Sequence, residues 1–292
     1  LGPTALPALI AHLNDARQTK IEITWALGGN MGLASYYDPK ANRTQPVSPF
    51  TEGLPYDLNK MNARDSKVIK QVTITRKGES WIDKEYTACV GDICYMAIGQ
   101  IVNRDLDAFA GVPTGTLDID SPVYVPELAD AVKKDWAIGN SNEVLKSSLI
   151  ADITVKHSVR KYDALTRLCY YYPDIGIPLT LKLLNRAPHG ATDVSDEGSI
   201  INSVMSCPSL SIDKKADQIL RSLPPTEPLD YSTDDCAIAC LNRLYNSKFR
   251  QDCENFYARR MPVLLANRTG SNYSRYYIQR YNFALDVTTS SN

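Results

Sequence analysis

Apolar residues at the start of the chain (Ala5, Leu6, Leu9, Ile10 and Leu13) fall on one helical face, which predicts a short helix or an arm over residues 3–13. Residues 19–27 (TKIEITWAL) alternate instead, the period of a strand, and Gly28, Gly29, Asn30, Met31 and Gly32 end it in a tight turn. The glycine spacing matches neither phosphate-loop pattern. Proline, Asn and Gly dominate 38–65, a long ordered loop. Residues 67–76 (KVIKQVTITR) and 80–90 (SWIDKEYTACV), around Lys77, Gly78 and Glu79, form the clearest β-hairpin pattern. Asp92 then caps a helix through Ile93, Met96, Ala97 and Ile101, and 113–125 reads as loop.

Beyond that point the period becomes helical. Pro126 opens a helix with Leu128, Val132 and Trp136 on one face, closed by Gly139 and Asn140. Ser141 starts a pattern through Val155, Val159, Tyr162, Leu165, Leu168 and Tyr172 that stops at Pro173, and Pro178 opens a short helix over 179–186. Ser195 and Ser211 read as N-caps of helices over 196–206 and 212–223, and 224–228 (PPTEP) as a stiff linker. Thr233, with Asp234 and Asp235, starts the longest helix. It runs with Ile238, Leu241, Leu244, Tyr245, Phe249, Cys253 and Phe256 inward and stops before Pro262. Tyr277, Tyr281, Phe283, Leu285 and Val287 suggest period two, a closing strand. The expected class is α+β. A mixed part with a small antiparallel hairpin sheet occupies 1–122, and a mainly helical part ending in a strand occupies 123–292.

Composition narrows this little. Over 292 residues, 43% are hydrophobic and 22% charged, the range of ordinary globular chains, which excludes wholesale disorder. No apolar run reaches the ~18–20 residues of a membrane span. No signal peptide is visible in the numbered chain, so a cytoplasmic or virion setting is expected. Charge is more informative, because it runs in blocks. The net charge is −1, yet residues 240–281 hold Arg243, Lys248, Arg250, Arg259, Arg260, Arg268, Arg275 and Arg280 against Asp252 and Glu254. Residues 156–186 are also basic, and the stretch from Asp193 to Asp235 between them is acidic.

Aromatic residues are threaded through the basic stretch: Tyr245, Phe249, Phe256, Tyr257, Tyr273, Tyr276, Tyr277 and Tyr281. Guanidinium groups facing phosphates and flat rings facing bases are the components of a single-stranded nucleic-acid surface. On the long helix Tyr245, Phe249 and Phe256 lie on the apolar stripe. Arg243, Arg250, Tyr257 and Arg260 lie off it and become the candidate contacts. Tyr276 and Arg280 follow on one face of the closing strand, with Arg275 before them. Arg160, Lys161 and Arg167, beside Tyr170 and Tyr171, are the upstream contributors if both basic segments line one groove. The competing reading is that these are solvated helix faces paired with acids in space.

Other chemistry is thinner. Seven cysteines cannot all pair within one chain, and reduced thiols in a cytosolic setting are expected. Cys89 with Cys94 and Cys236 with Cys240 lack the spacing and nearby His of a zinc site, so no metal or cofactor is expected. His12, His157 and His189 belong to no nucleophile motif. Asp118 and Asp120 resemble a paired-carboxylate turn, but lone Asp-x-Asp patterns are mostly loop chemistry. The reading is therefore a structural protein, not an enzyme. It binds and packages single-stranded RNA without reading sequence, as viral nucleoproteins and coat proteins do, and meets other copies of itself through segments 1–16 and 282–292. The alternatives are a protein-only capsid or matrix shell subunit, and an enzyme whose site is dispersed over loops around Asp118 and Asp120.

Overall fold

The structure, a computed structural model, describes residues 2–24, 69–76, 79–104, 106–112, 116–137, 141–154, 159–185, 205, 207–224, 231–245, 247–266 and 272–285. The fold is α+β with a helical bulk and a small antiparallel sheet. It divides into two compact units, Leu1–Asp152 and Ile153–Asn292, rather than at 122/123. Two helices after residue 122, Pro126–Trp136 and most of Ser141–Thr154, fall in the first unit. Asp152, buried near the end of one of them, accepts bonds from Asn103 and Arg104.

In the first unit α1 (Leu6–Ala11) is followed by β1 (Gln18–Thr24), β2 (Lys70–Arg76) and β3 (Glu79–Cys89), in sheet order β1-β3-β2, all antiparallel. The β2–β3 register pairs Ile74 with Trp81 and Arg76 with Glu79, the hairpin expected from the alternation. Tyr86 and Ala88 face inward from β3, with Glu85 and Thr87 less covered. Cys89 then caps α2 (Val90–Val102), and Asn103 closes that helix at φ 60, a left-handed position that Asn tolerates. Leu6, Ile10 and Leu13 are buried, and α1 packs on α2 and on α3 (Pro126–Trp136). The apolar face of segment 1–16 is thus used inside its own unit, not offered as a free arm.

Residues 113–125 are not all loop. A second hairpin, β4 (Phe109–Val112) with β5 (Thr116–Ile119), pairs Phe109 with Ile119 and reaches into them. The pattern from Ser141 is broken into α4 (Ser141–Thr154) and α5 (Val159–Tyr171). Pro173, not Pro178, opens α6 (Pro173–Leu184), with Pro178 inside that helix. A proline at the first helical position has no amide to lose, which suits Pro173 to the start.

In the second unit α7 (Leu210–Ser222) is capped by Ser209, whose side chain accepts from the Ser211 amide, two residues ahead of the expected cap. The expected long helix is two, α8 (Tyr231–Leu244) and α9 (Arg250–Ala266), and Pro262 lies within α9 rather than ending it. Between them Ser247 bonds the Leu244 carbonyl through its hydroxyl, and its Oγ accepts from the Phe249 amide; these local bonds compete with helical ones. The closing strand is a helix, α10 (Asn272–Ala284). Tyr277, Tyr281, Ala284 and Leu285 are buried at steps of four, three and one, a helical face, while Phe283 points out. A tyrosine spacing of four fits both periods, and packing selected the helix.

The glycine-rich turn after β1, the loop over 38–65, all but Met205 of the helix over 196–206, most of the linker 224–228 and the tail beyond Leu285 lie outside the described residues. The hairpin of α5 and α6 depends on a close approach at Gly176. A Cβ there would stand 2.3 Å from the Cys169 nitrogen and 2.5 Å from the Leu168 carbonyl carbon, both backbone atoms. Gly176→Ala is therefore expected to destabilise the second unit by about 1–3 kcal/mol, read as a lower urea midpoint at unchanged slope.

Candidate functional site

The acids that precede the basic stretch are its partners. Asp234 and Asp235 sit in the first turns of α8, where carboxylates also suit the helix dipole. Arg260 of α9 donates to Asp234 through Nε (3.1 Å) and Nη2 (2.7 Å), and Tyr281 of α10 donates its hydroxyl at 2.6 Å. Arg260 and Asp234 are buried, with side-chain exposures of 1% and 0%. Asp235 accepts from Tyr277 at 3.1 Å and from Arg280 Nη1. Burial pushes the Tyr277 and Tyr281 phenols up, and the neighbouring carboxylates push the same way, so both rings stay protonated donors.

Two further candidate cations, Arg243 and Arg250, are also engaged. Arg243, near the end of α8, donates to Asp213 of α7 at 2.7 Å, to the Met205 carbonyl and to the Ser209 carbonyl at 3.1 Å. Arg250 bonds Glu254 at 2.9 Å and the Tyr245 hydroxyl at 2.9 Å, with its guanidinium 4.5 Å from the Tyr245 ring centroid. Arg221 of α7 bridges Asp217 and Asp252. Tyr257 donates to Asn282 at 2.6 Å, tying α9 to α10. Asp234 and Arg243 are nine positions apart on α8, about 13 Å along its axis. The guanidiniums of Arg243, Arg250, Arg260 and Arg280 each face a carboxylate of their own.

Tyr276 is 52% exposed, and the Arg280 guanidinium lies 5.4 Å from its ring centroid. Ring and cation here keep the same-face relation expected from the sequence, with the ring open to solvent. Phe283, one turn on along α10, is 85% exposed. On α5, Lys161 and Arg167 are half-buried, and the Arg167 charge lies close to Tyr171, while Tyr170 is exposed. The side chains of Arg160 and Arg275 lie outside the described residues. The sequence reading missed Asp213, Asp234, Asp235 and Phe283. The signal for the acids was present in the acidic block ahead of the basic one.

In the first unit Asp92 is fully buried and accepts from the Tyr86 hydroxyl at 2.6 Å and the Cys89 amide at 2.7 Å. Burial raises its pKa more than these bonds lower it. Arg104, also buried, bonds Asp152 at 2.6 Å and Ser148 at 2.7 Å, and stacks 5.9 Å from the Trp136 ring centroid. Ile119 and Asp120 are buried at the end of β5, and the Asp120 amide bonds the Ala108 carbonyl, while the Asp118 side chain lies outside the described residues. No cluster of three metal-ligating side chains occurs among the described residues. No helix among them is long and apolar enough to cross a membrane.

Arg260→Met leaves the Asp234 carboxylate buried without its cation, and a loss of about 3–5 kcal/mol is expected in urea unfolding. Arg280→Met, at a part-exposed pair, should cost at most about 1 kcal/mol. Asp92 titrates higher in the folded state than in the unfolded chain, so its contribution to stability is full at acid pH and is lost as pH rises through the folded value. Asp92→Asn keeps an acceptor for Tyr86 and Cys89 and should remove that part of the decline, seen as a flatter plot of unfolding free energy against pH. Comparison of the chain with protein families, with curated proteins and with solved structures finds no match in any of the three.

Proposed function

We propose that this protein is a structural, self-assembling subunit of the capsid- or matrix-shell kind, with the exposed face of α10 as a contact between copies. The observation that supports this is the placement of Tyr276, Arg280 and Phe283 along one stripe of that helix, with both rings largely open. Aromatic rings and Arg are the residue types enriched at the centres of protein interfaces. Steps of four and three keep the three residues on one face. A two-fold axis near the middle of the stripe would set each copy's Phe283 on the other's Tyr276, as a self-complementary contact requires. Asp235 neutralises Arg280 and so removes the like-charge penalty such an axis would otherwise carry.

Packaging of single-stranded RNA is the reading against which this one is tested. It draws on the same open Tyr276, whose ring and neighbouring guanidinium can also take a base and its phosphate. Phosphate binding by the buried Arg260 would require it to leave the Asp234 carboxylate. The two readings separate in one experiment on the full chain: sedimentation across a concentration series, with and without ribonuclease, alongside absorbance at 260 nm. The shell reading expects association that survives ribonuclease and weakens about tenfold or more in Phe283→Asp, with an unchanged melting temperature because Phe283 is exposed. Assembly that disappears with ribonuclease, from material rich in 260 nm absorbance, would establish RNA packaging instead.

A further inference from the structure

The sheet of the first unit ends on β1. In the order β1-β3-β2, β1 pairs with β3 on one side, and no strand among the described residues pairs with its other side. Lys20, Ile21 and Glu22 are all exposed on this edge, Ile21 at 45%. Among the described residues neither Lys20 nor Glu22 forms an ion pair.

The backbone of the edge is directed outward at the same residues. The ladder shifts between Gln18 and Glu22, and Thr19 ties that stretch to β3. Its hydroxyl donates to the Ala88 carbonyl at 2.8 Å and accepts from the Ile21 amide at 3.0 Å. The Ile21 amide thus turns toward β3, and in a trans peptide the Lys20 carbonyl turns the opposite way, to the open side. The Val90 amide bonds the Arg17 carbonyl at 2.9 Å, so the even-numbered residues of β3 face β1. Ile23, opposite Tyr86, therefore turns its main-chain groups to β3, and those of Glu22 point outward.

We propose that β1 is a second contact between copies of this chain, an antiparallel β1–β1 pair with its two-fold axis at Ile21, joining two three-stranded sheets into one. A strand pairs with its own copy in this way where its sequence is complementary about a central residue. About Ile21, each exposed Lys20 falls opposite the other copy's Glu22, and the two exposed Ile21 side chains cover each other. The same register sets each outward Glu22 amide against the other copy's outward Lys20 carbonyl, the main-chain bonds of strand addition. Thr19 falls opposite Ile23, and no like charges meet. The other edge strand, β2, lacks this symmetry: about its middle residue, Thr73, Lys70 falls opposite the copy's Arg76. The β1 contact is independent of α10. Where both operate, which rests on the shell reading above, two different two-fold axes on one chain build assemblies of more than two copies.

The test is sedimentation, after ribonuclease treatment, of the full chain carrying Phe283→Asp, which removes the α10 contact and leaves β1 alone. A concentration-dependent dimer is expected. In that background Lys20→Glu sets acid against acid, and Glu22→Lys sets base against base. Each should weaken the dimer about tenfold or more, and an equimolar mixture of the two variants should recover it as a heterodimer. The proposal is overturned if the Phe283→Asp chain is a monomer at every concentration, if either charge variant dimerises as before, or if the mixture recovers nothing. A monomeric Phe283→Asp chain, beside association of the chain with Phe283 intact, leaves the shell reading standing. If a charge variant does not fold by circular dichroism, Ile21→Arg replaces it: a lost dimer supports the β1 contact, and an unchanged one overturns it.

Discussion

The second unit is held by carboxylates at the start of one helix that bind cations and phenols from the two helices after it. Asp234 takes both the Arg260 fork and the Tyr281 hydroxyl, and Asp235 takes Tyr277 and Arg280, so α8, α9 and α10 meet at two adjacent residues. A buried ion pair is weak evidence for net stability, since desolvation opposes it, but it is strict about geometry. Only one arrangement of the helices supplies both the bidentate guanidinium and the phenol. The apolar residues around them (Ile238, Leu241, Phe256 and Leu264) supply the driving force, and the polar node selects the register.

That constraint also decides what the basic residues can do. A guanidinium at a surface groove is available to a phosphate; one that forks onto a buried carboxylate is not, without leaving an uncompensated charge behind. Arg260 belongs wholly to the second kind, and Arg243 nearly so, with its side chain 9% exposed. Tyr276 and Phe283 are open on α10. Of the cations that give the stretch its appearance of a polyanion site, Arg243, Arg250, Arg260 and Arg280 bond carboxylates of the same unit.

The first unit repeats the theme on a smaller scale. Asp92 joins β3 to α2 through Tyr86 and the Cys89 amide, and Arg104 joins the end of α2 to α4 through Asp152 and Ser148. Asp92, Arg104 and Asp152 lie near the ends of elements, where backbone amides or carbonyls need partners in any case. Both units are thus fastened by short polar contacts between elements and filled around them by apolar side chains.

What the amino-acid order determined by itself was local. Alternation in 70–76 and 79–89 specified the β2–β3 hairpin. The apolar stripe with Pro126 specified α3, and the class α+β followed. These depend on periods and caps that act within a few residues. Where two periods share a spacing, as with Tyr277 and Tyr281, the chain alone could not choose, and burial against α8 and α9 made a helix of the expected strand. The acidic and basic blocks were equally plain in the sequence, but whether they would face solvent, a polyanion or one another was not. Charge pairing acts through space between residues such as Asp234 and Arg260, far apart along the chain, so only the packed helices could assign each cation its partner.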